Sequence, residues 1–199
     1  PTTTGALDGS LGGVQDGCLA KFNSDVSVLV WSTYIGGSTG DAGYSLKLNS
    51  INEIYMTGGT ASSNLAVDPG SIGPTYGGGT ADGFIFRISN DGSAIVNSSY
   101  IGTSVYDQSY FVEVDDDDDV YVYGQSVGNY PVTSGTYSNL NGHQFIQKMT
   151  SDLSTSIYST VFGSGGVNVN ISPTAFLVDI CERVFISGWG GTTNNSWNT

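Results

Sequence analysis

The sequence predicts an all-β fold built from short antiparallel strands. The chain of 199 residues contains 29 glycines but only five prolines, and its apolar residues alternate with polar ones in short runs. Alternation with a period of two is typical of strands that bury one face, and glycine is typical of the turns between them. A third observation, an internal repeat, indicates how these strands are grouped.

Three motifs each occur three times along the chain, and the first two of them recur at spacings of 61 to 66 residues. A repeat of this length is typical of architectures in which one supersecondary unit is used several times. The motifs are STYIGG, SSYIG and STVFG from Ser32, Ser98 and Ser159; IYMTG, VYVYG and VFISG from Ile54, Val120 and Val184; and DGCLAKFN, DGFIFRIS and GHQFIQKMT from Asp16, Asp82 and Gly142.

One repeat contains four alternating runs, each of which we expect to form a strand. A tight hairpin at Asn90-Asp91-Gly92 separates the last two, because Asp-Gly favours such turns. Four antiparallel strands per repeat is the composition of a β-propeller blade. The runs are Tyr44–Asn49, Glu53–Gly59, Asp82–Ser89 and Ala94–Gly102.

The repeat resembles the bacterial SBBP-type β-propeller family. The matching text is WSTYIGGSTGDAGYSLKLNSINEIYMTGGT from Trp31 and GGGTADGFIFRISNDGSAIVNSSYIG from Gly77. The segment VDICERVFISGWGG from Val178 is similar to the version found in large secreted proteins of Bacteroidetes-type bacteria. The resemblance implies an exported protein displayed on the bacterial cell surface.

Alignment of the repeats divides the chain into about three blades' worth of strands. Residues 1–37 correspond to the second half of a blade, 38–102 and 103–163 to full blades, and 164–199 to the first half of a blade. Closed propellers usually have four to eight blades. We therefore expect either further blades of the same protein or self-association to complete the propeller, with a filament as one outcome.

The charge of the chain excludes several partners. A formal net charge of −13 at pH 7 repels nucleic acid and anionic membrane surfaces. No run of about 20 apolar residues is present, so membrane insertion is not expected. An extracellular location rests on the family resemblance.

The acidic run at residues 115–119 has two interpretations. Carboxylates at alternate positions, Asp115, Asp117 and Asp119, could bind calcium. The repeat instead aligns the run with the turn between the first two strands of a blade, where Asp is favoured for backbone reasons. We prefer a solvated turn, and otherwise expect no cofactor.

The two cysteines and the glycosylation motifs also leave alternatives open. Cys18 and Cys181 belong to the two incomplete blades, so a disulfide between them would join the ends of the chain. Free cysteine is a common core residue, however, and the sequence does not give the distance that a disulfide requires, so we prefer free thiols. Asn170 and Asn194 begin glycosylation motifs of the N-x-S/T type.

Aromatic residues in or beside loops are the best candidates for binding a ligand such as a surface glycan. They are Tyr76, Tyr130, Tyr137, Trp189 and Trp197. By contrast, Tyr34, Tyr55, Tyr100 and Tyr121 recur at equivalent strand positions, which predicts a place in the core.

These observations favour a non-catalytic structural or interaction module, adhesin-like or fibre-forming. No residue is expected to be catalytic, because no carboxylate pair departs from the repeat pattern. The alternative is a lectin-like propeller that binds carbohydrate or depends on calcium. A glycoside hydrolase-type propeller is a weaker alternative.

Overall fold

The computed structural model describes residues 2–165, 169 and 171–190, and these residues form strands, turns and loops without a helix. The predicted all-β class is therefore confirmed, and none of the described residues belong to a helix that could cross a membrane. The strands are β1 (Gly17–Phe22), β2 (Leu29–Ile35), β3 (Asp41–Leu48), β4 (Ile54–Thr60), β5 (Asp82–Ile88), β6 (Ile95–Ile101), β7 (Asp107–Val114), β8 (Val120–Ser126), β9 (Gln144–Met149), β10 (Ser156–Phe162), β11 (Ile171–Val178) and β12 (Val184–Gly190).

The twelve strands form four antiparallel sheets in chain order. The first sheet contains β1 and β2, the second β3 to β6, the third β7 to β10, and the fourth β11 and β12. Each strand of the two larger sheets pairs with the strand next to it in sequence, so both are simple meanders. The four predicted runs of one repeat correspond to β3 to β6, although β3 begins at Asp41 rather than at Tyr44.

Strand register shows which residues are equivalent in the repeats. The hairpins β3–β4, β7–β8 and β11–β12 end on the pairs Leu48–Ile54, Val114–Val120 and Val178–Val184. In the same way, β1–β2 and β5–β6 begin on the pairs Gly17–Ile35 and Gly83–Ile101. The first sheet therefore corresponds to strands β5 and β6 of a complete sheet, and the fourth sheet to strands β3 and β4.

One acidic or amide side chain organises the turn after the first strand of each repeat. Oδ1 of Asp115 accepts hydrogen bonds from the amides of Asp117 and Asp119, at 3.1 and 2.9 Å. Asn49 and Asp179 make the same two bonds in their own turns. This explains the preference for Asp or Asn here, since such side chains stabilise tight turns by bonding to the backbone.

The turn after the third strand of each repeat uses the same chemistry. Oδ1 of Asp91 accepts bonds from the amide of Ser93, at 3.1 Å, and from its hydroxyl, at 2.7 Å. Gly92 has a φ of 70°, a left-handed conformation that glycine adopts without strain. The hairpin predicted at Asn90-Asp91-Gly92 is thus confirmed.

The hydrophobic core lies between successive sheets. Burying apolar side chains on both faces of the larger sheets is what holds adjacent sheets together. Three clusters fill the three junctions: Leu19, Trp31 and Ile35 pack with Ile54, Met56 and Phe84; Tyr55, Ile85 and Ile101 pack with Val112, Val120 and Phe145; and Tyr121, Tyr123 and Phe162 pack with Phe176.

The recurring strand tyrosines are core residues, as predicted for three of the four. Tyr55 and Tyr121 are 0% exposed, and Tyr100 is 3% exposed. Tyr34, in the first sheet, is half-buried. The hydroxyl of Tyr55 donates to the carbonyl of Ser151, at 2.6 Å, so this tyrosine connects the second sheet to a turn of the third.

The Tyr55→Ala substitution should lower the free energy of unfolding by about 3–5 kcal/mol, because it leaves a cavity and removes a hydrogen bond across two sheets. Urea denaturation measures the loss. The matched control is Tyr137→Ala, since Tyr137 is 66% exposed and should change stability by less than about 0.5 kcal/mol. Equal midpoints for the two variants would contradict the core assignment.

Candidate interaction surface

An open apolar groove separates the first sheet from strand β3 of the second. Its cavity volume is about 700 Å³. The walls come from the edge strand β1, from Trp31 on β2, and from the outward face of β3. The residues that define this open groove are Leu19, Phe22, Trp31, Leu46, Leu48 and Ile54.

The β3 wall of the open groove exposes apolar side chains whose equivalents in the next repeat, on β7, are covered by the sheet that precedes them. Leu46 and Leu48 are 52% and 53% exposed. Their equivalents in β7 are Val112, which is 2% exposed, and Val114, which is partly buried against the same core. Val112 is covered because Tyr55 and Ile85 of the preceding sheet pack in its cluster. Strands in the corresponding place would cover Leu46 and Leu48.

Strand β1 forms the second wall and is an edge strand. In the described part of the chain it pairs with β2 alone, whereas its equivalents β5 and β9 pair on both sides. Phe22, at the end of β1, is 50% exposed, but its equivalents Ile88 and Met149 are 0% exposed. An unpaired strand beside exposed apolar side chains is a template for another strand.

The fourth sheet has the complementary arrangement. Strand β12 corresponds to β4 and β8, yet among the described residues it pairs only with β11. Phe185 of β12 is 52% exposed, while its equivalents Tyr55 and Tyr121 are fully buried. Trp189, farther along β12, is 63% exposed.

A charged cluster connects the third and fourth sheets. Nζ of Lys148 lies 2.9 Å from a carboxylate oxygen of Asp115, 3.2 Å from one of Asp119 and 2.9 Å from one of Glu182. The Lys148 side chain is 7% exposed. Its ammonium group also lies 5.0 Å from the centre of the Tyr121 ring, a cation–π contact.

The same cluster occurs in the second sheet with different residues. Arg87, the equivalent of Lys148, pairs with Glu53 at 2.6 Å and lies over the ring of Tyr55 at 5.9 Å. Lys21 of β1 is the third equivalent, and it is exposed and bonds to the turn at Asn90. A cation above an aromatic ring is thus a feature of each complete sheet.

Ionisation of the Lys148 cluster is fixed by its contacts. Burial opposes the charge of Asp115, but hydrogen bonds from Lys148 and Tyr121 outweigh it and lower the Asp115 pKa below its usual value of 3.8. Burial likewise opposes the charge of Lys148, and its bonds to Glu182, Tyr121 and Asp115 raise its pKa above the ordinary value. Asp115 and Lys148 are therefore both charged at neutral pH.

Residues 115–119 form the predicted turn between β7 and β8, but not all of its acidic side chains are solvated as expected. The Asp115 side chain is 4% exposed and, with Asp119, is bound to Lys148, while Asp117 is exposed. The cation was missed because Lys148 comes from a strand far along the sequence. Among residues 2–165, 169 and 171–190, no group of three or more His, Cys, Asp or Glu residues could hold a metal ion.

The aromatic candidates do not form one site. Tyr130 is buried, stacks on Phe145 with ring centres 4.0 Å apart, and donates its hydroxyl to Gln147. Tyr76 packs edge-on against the buried Tyr100 ring, whereas Tyr137 and Trp189 are exposed. Trp197 and the candidate glycosylation residues Asn170 and Asn194 lie outside the described residues.

Both cysteines are exposed and carry free thiols. Cys18 lies on the edge strand β1, and Cys181 lies in the turn before β12. The structure therefore contains no bond between them, and neither is a buried core residue of the kind considered from the sequence.

Comparison with protein-family models gives no match, and comparison with curated proteins gives no similar sequence. The resemblance to SBBP-type repeats consequently stays a prediction from the motifs.

Replacing Lys148 by Met should destabilise the protein at neutral pH by about 3 kcal/mol, because three carboxylates lose their shared cation. The loss should shrink as pH falls below 3.8, where Asp115 becomes protonated in the unfolded chain and then in the folded one. Urea denaturation at pH 7 and pH 3 measures both values.

The control for this substitution is Lys47→Met, which breaks the more exposed pair between Lys47 and Glu113. Such pairs contribute up to about 1 kcal/mol. A Lys148→Met loss that is the same at both pH values would contradict the electrostatic account.

Proposed function

We propose that this chain is a non-catalytic structural module of a bacterial surface protein, and that it assembles by strand pairing between its own first and fourth sheets. In the proposed joint, strands β11 and β12 of one copy enter the open groove of a second copy. The result is a composite four-stranded sheet in the order β11, β12, β1, β2. Repetition of the joint produces a ring or a filament, according to whether the rotation closes.

The observation that carries the proposal is the exposure of residues whose equivalents are buried. Phe22, Leu46 and Phe185 are each about half exposed in the two-stranded sheets or beside them. At the equivalent positions of the complete sheets, Ile88, Val112, Tyr55 and Tyr121 are at most 2% exposed. A sequence that keeps apolar residues at such positions is suited to a state in which they are covered.

The occupant of the open groove follows from the repeat. In the complete sheets, the strand beside β5 is β4 and the strand beside β9 is β8. Because β1 is the equivalent of β5 and β9, the strand that fits its free edge is of the β4 type. Strand β12 is of this type. Its unpaired edge corresponds to the edge of β4 that pairs with β5.

The register of the joint is predicted by β4 and β5, in which Ile54 pairs with Ile88 and Met56 with Phe86. The corresponding pairs are Val184 with Phe22, and Ile186 with Ala20. Lys21 then lies opposite Phe185, as Arg87 lies opposite Tyr55. The Phe185 ring of one copy would then lie beside Lys21 of the other, as the Tyr55 and Tyr121 rings lie beside Arg87 and Lys148.

Arg183 departs from the pattern of the complete sheets, where Glu53 and Asp119 stand at its position. Asp179, which pairs with Arg183 at 2.8 Å, is the equivalent of Asp115, and in the joint Lys21 would compete with Arg183 for it. We therefore expect Arg183→Glu to strengthen the joint.

The propeller arrangement and the surface location rest on the packing of the sheets, the composition of the chain and its repeat motifs. Four-stranded meanders that pack face to face in chain order are compatible with consecutive propeller blades. The low content of Lys and Arg, five residues in all, and the SBBP-type motifs favour an exported protein.

A glycan-binding, lectin-like function is the second candidate. Tyr137 is exposed and lines a cavity of about 410 Å³ between the third and fourth sheets, with Ile146, Phe162 and Ile186. An exposed aromatic ring beside a cavity can stack on a sugar. In the composite sheet, β1 of the second copy would lie beside β12 over this cavity, so assembly and glycan binding compete for the same surface.

The register of the joint can be tested by cross-linking two single-cysteine proteins. In a background with Cys18→Ser and Cys181→Ser, Ala20→Cys is mixed with Ile186→Cys under mild oxidation. Residues directly opposite on paired strands lie within disulfide distance. We expect a covalent dimer of the two variants on a non-reducing gel.

The matched control mixes Ala20→Cys with Val184→Cys, which lies on the same face of β12 but two residues away from the predicted partner. Diagonal neighbours are about 7–8 Å apart and should cross-link far less. Equal cross-linking in both mixtures, or none in either, would reject the proposed joint.

A further inference from the structure

Two buried carboxyl groups lie together at the junction between the second and third sheets. Asp82 at the start of β5 and Asp107 at the start of β7 are both 0% exposed. The amide of Asp107 donates to the carbonyl of Ala81, at 2.8 Å, which joins the backbones beside the two side chains. Ser109, also 0% exposed, follows on β7.

Each of these three side chains has an oxygen without a hydrogen-bond partner. The atoms are Oδ1 of Asp82, Oδ1 of Asp107 and Oγ of Ser109, all shielded from solvent. The other carboxylate oxygens are bonded: Oδ2 of Asp82 accepts from the amide of Gly77, at 2.5 Å, and Oδ2 of Asp107 from the amide of Thr103, at 2.6 Å. Unpaired buried oxygens are costly and rare in native proteins.

Ser109 is close to Asp82 as well as to Asp107. A Cβ atom placed on Gly83, the residue after Asp82, would collide with Oγ of Ser109. The glycine therefore lets β7 approach β5 closely at this point. The three unpartnered oxygens thus come from residues that meet at one place between the two sheets.

No positive side chain balances the two carboxyl groups. Within the described residues, neither Asp82 nor Asp107 belongs to an ion pair. Two buried carboxyl groups without a cationic partner are unfavourable when charged, and an added cation would offset that cost.

The junction between the first and second sheets provides an internal comparison. There Asp41 has the place of Asp107, and it accepts bonds from the hydroxyls of Thr60 and Ser62. At the second junction Ser62 is replaced by Gly128, which removes a hydroxyl donor, while Gly37 is replaced by Thr103, whose hydroxyl donates to Oδ2 of Asp107 at 2.9 Å. Gly43 is replaced by Ser109, which adds an oxygen. Among the described residues, the first junction has one unpartnered buried oxygen, Oδ1 of Asp16, and the second junction has three.

Asp82 also lines a cavity of about 110 Å³. Ile101, Gly102 and the buried Tyr130 line the same cavity. A cavity of this size can hold several water molecules. The cavity can place water beside Asp82, and such water can complete the coordination of an ion held there.

We propose that Asp82, Asp107 and Ser109 form a binding site for a divalent cation of the calcium type, at the junction of the second and third sheets. Two carboxylates and a hydroxyl supply the oxygen ligands that calcium prefers, and water or backbone carbonyls supply the rest. The site is separate from the Lys148 cluster and does not depend on the proposed assembly.

The test is thermal unfolding of the full chain in calcium and in EDTA, together with terbium luminescence. Calcium at about 100 times its Kd should raise the unfolding midpoint by about 5 °C or more. Terbium should bind in place of calcium and emit on excitation of tyrosine, because Tyr100 and Tyr130 line the adjacent cavity. Calcium should displace it.

The variants Asp82→Asn and Asp107→Asn should abolish both the calcium shift and the terbium emission, and Ser109→Ala should weaken terbium binding several-fold. The matched control is Asp16→Asn, which changes the equivalent of Asp82 at the first junction and should keep both signals. Equal wild-type midpoints in calcium and EDTA would overturn the proposal. An Asp82→Asn variant that is more stable than the wild type in both solutions would also overturn it. That result would indicate that Asp82 and Asp107 share a proton instead of binding a cation.

Discussion

The structure depends on one constraint, that a β-strand must find hydrogen-bond partners along both edges and apolar cover on its buried face. In the second and third sheets, the inner strands β4, β5, β8 and β9 meet this requirement through simple meanders. Within the part of the chain that the structure describes, β1 and β12 of the first and fourth sheets do not meet it, although their sequences are those of inner strands. The side chains of Phe22 and Phe185 on these strands are likewise exposed, so their apolar surface is not covered. Because the two unpaired strands are complementary in type, each can satisfy the other in the proposed assembly.

Adjacent sheets are coupled by charge as well as by apolar packing. Lys148 joins the turn of its own sheet to Glu182 of the next one, and Arg87 reaches the carbonyl of Ser151 in the next turn, at 3.2 Å. Such buried clusters fix the relative position of two sheets because their geometry is directional. The acidic pair Asp82 and Asp107 lies at one of the same junctions and forms no ion pair with any residue that the structure describes. A bound ion there would have the role that Lys148 has elsewhere.

Sequence alone predicts the parts of this fold that are local. The alternating runs predict β3 to β6, and the Asp-Gly hairpin at Asp91 follows from turn chemistry. The burial of Tyr55 and Tyr121 follows from their recurrence in the repeat. What the sequence could not show are contacts made between sheets: Lys148 with Asp115, or Tyr130 folded from a polar loop onto Phe145. The edge residues could have been found from the repeat, by asking which aligned apolar positions lose their neighbours in an incomplete sheet.

The central claim is that the two-stranded sheets complete each other between copies, and the mass of the unmodified chain in solution tests it most directly. Sedimentation equilibrium over a range of concentrations measures this mass without labels or substitutions. The account predicts species that are multiples of the 20.7 kDa chain and that increase with concentration. A well-folded species of 20.7 kDa that persists at every concentration would contradict it.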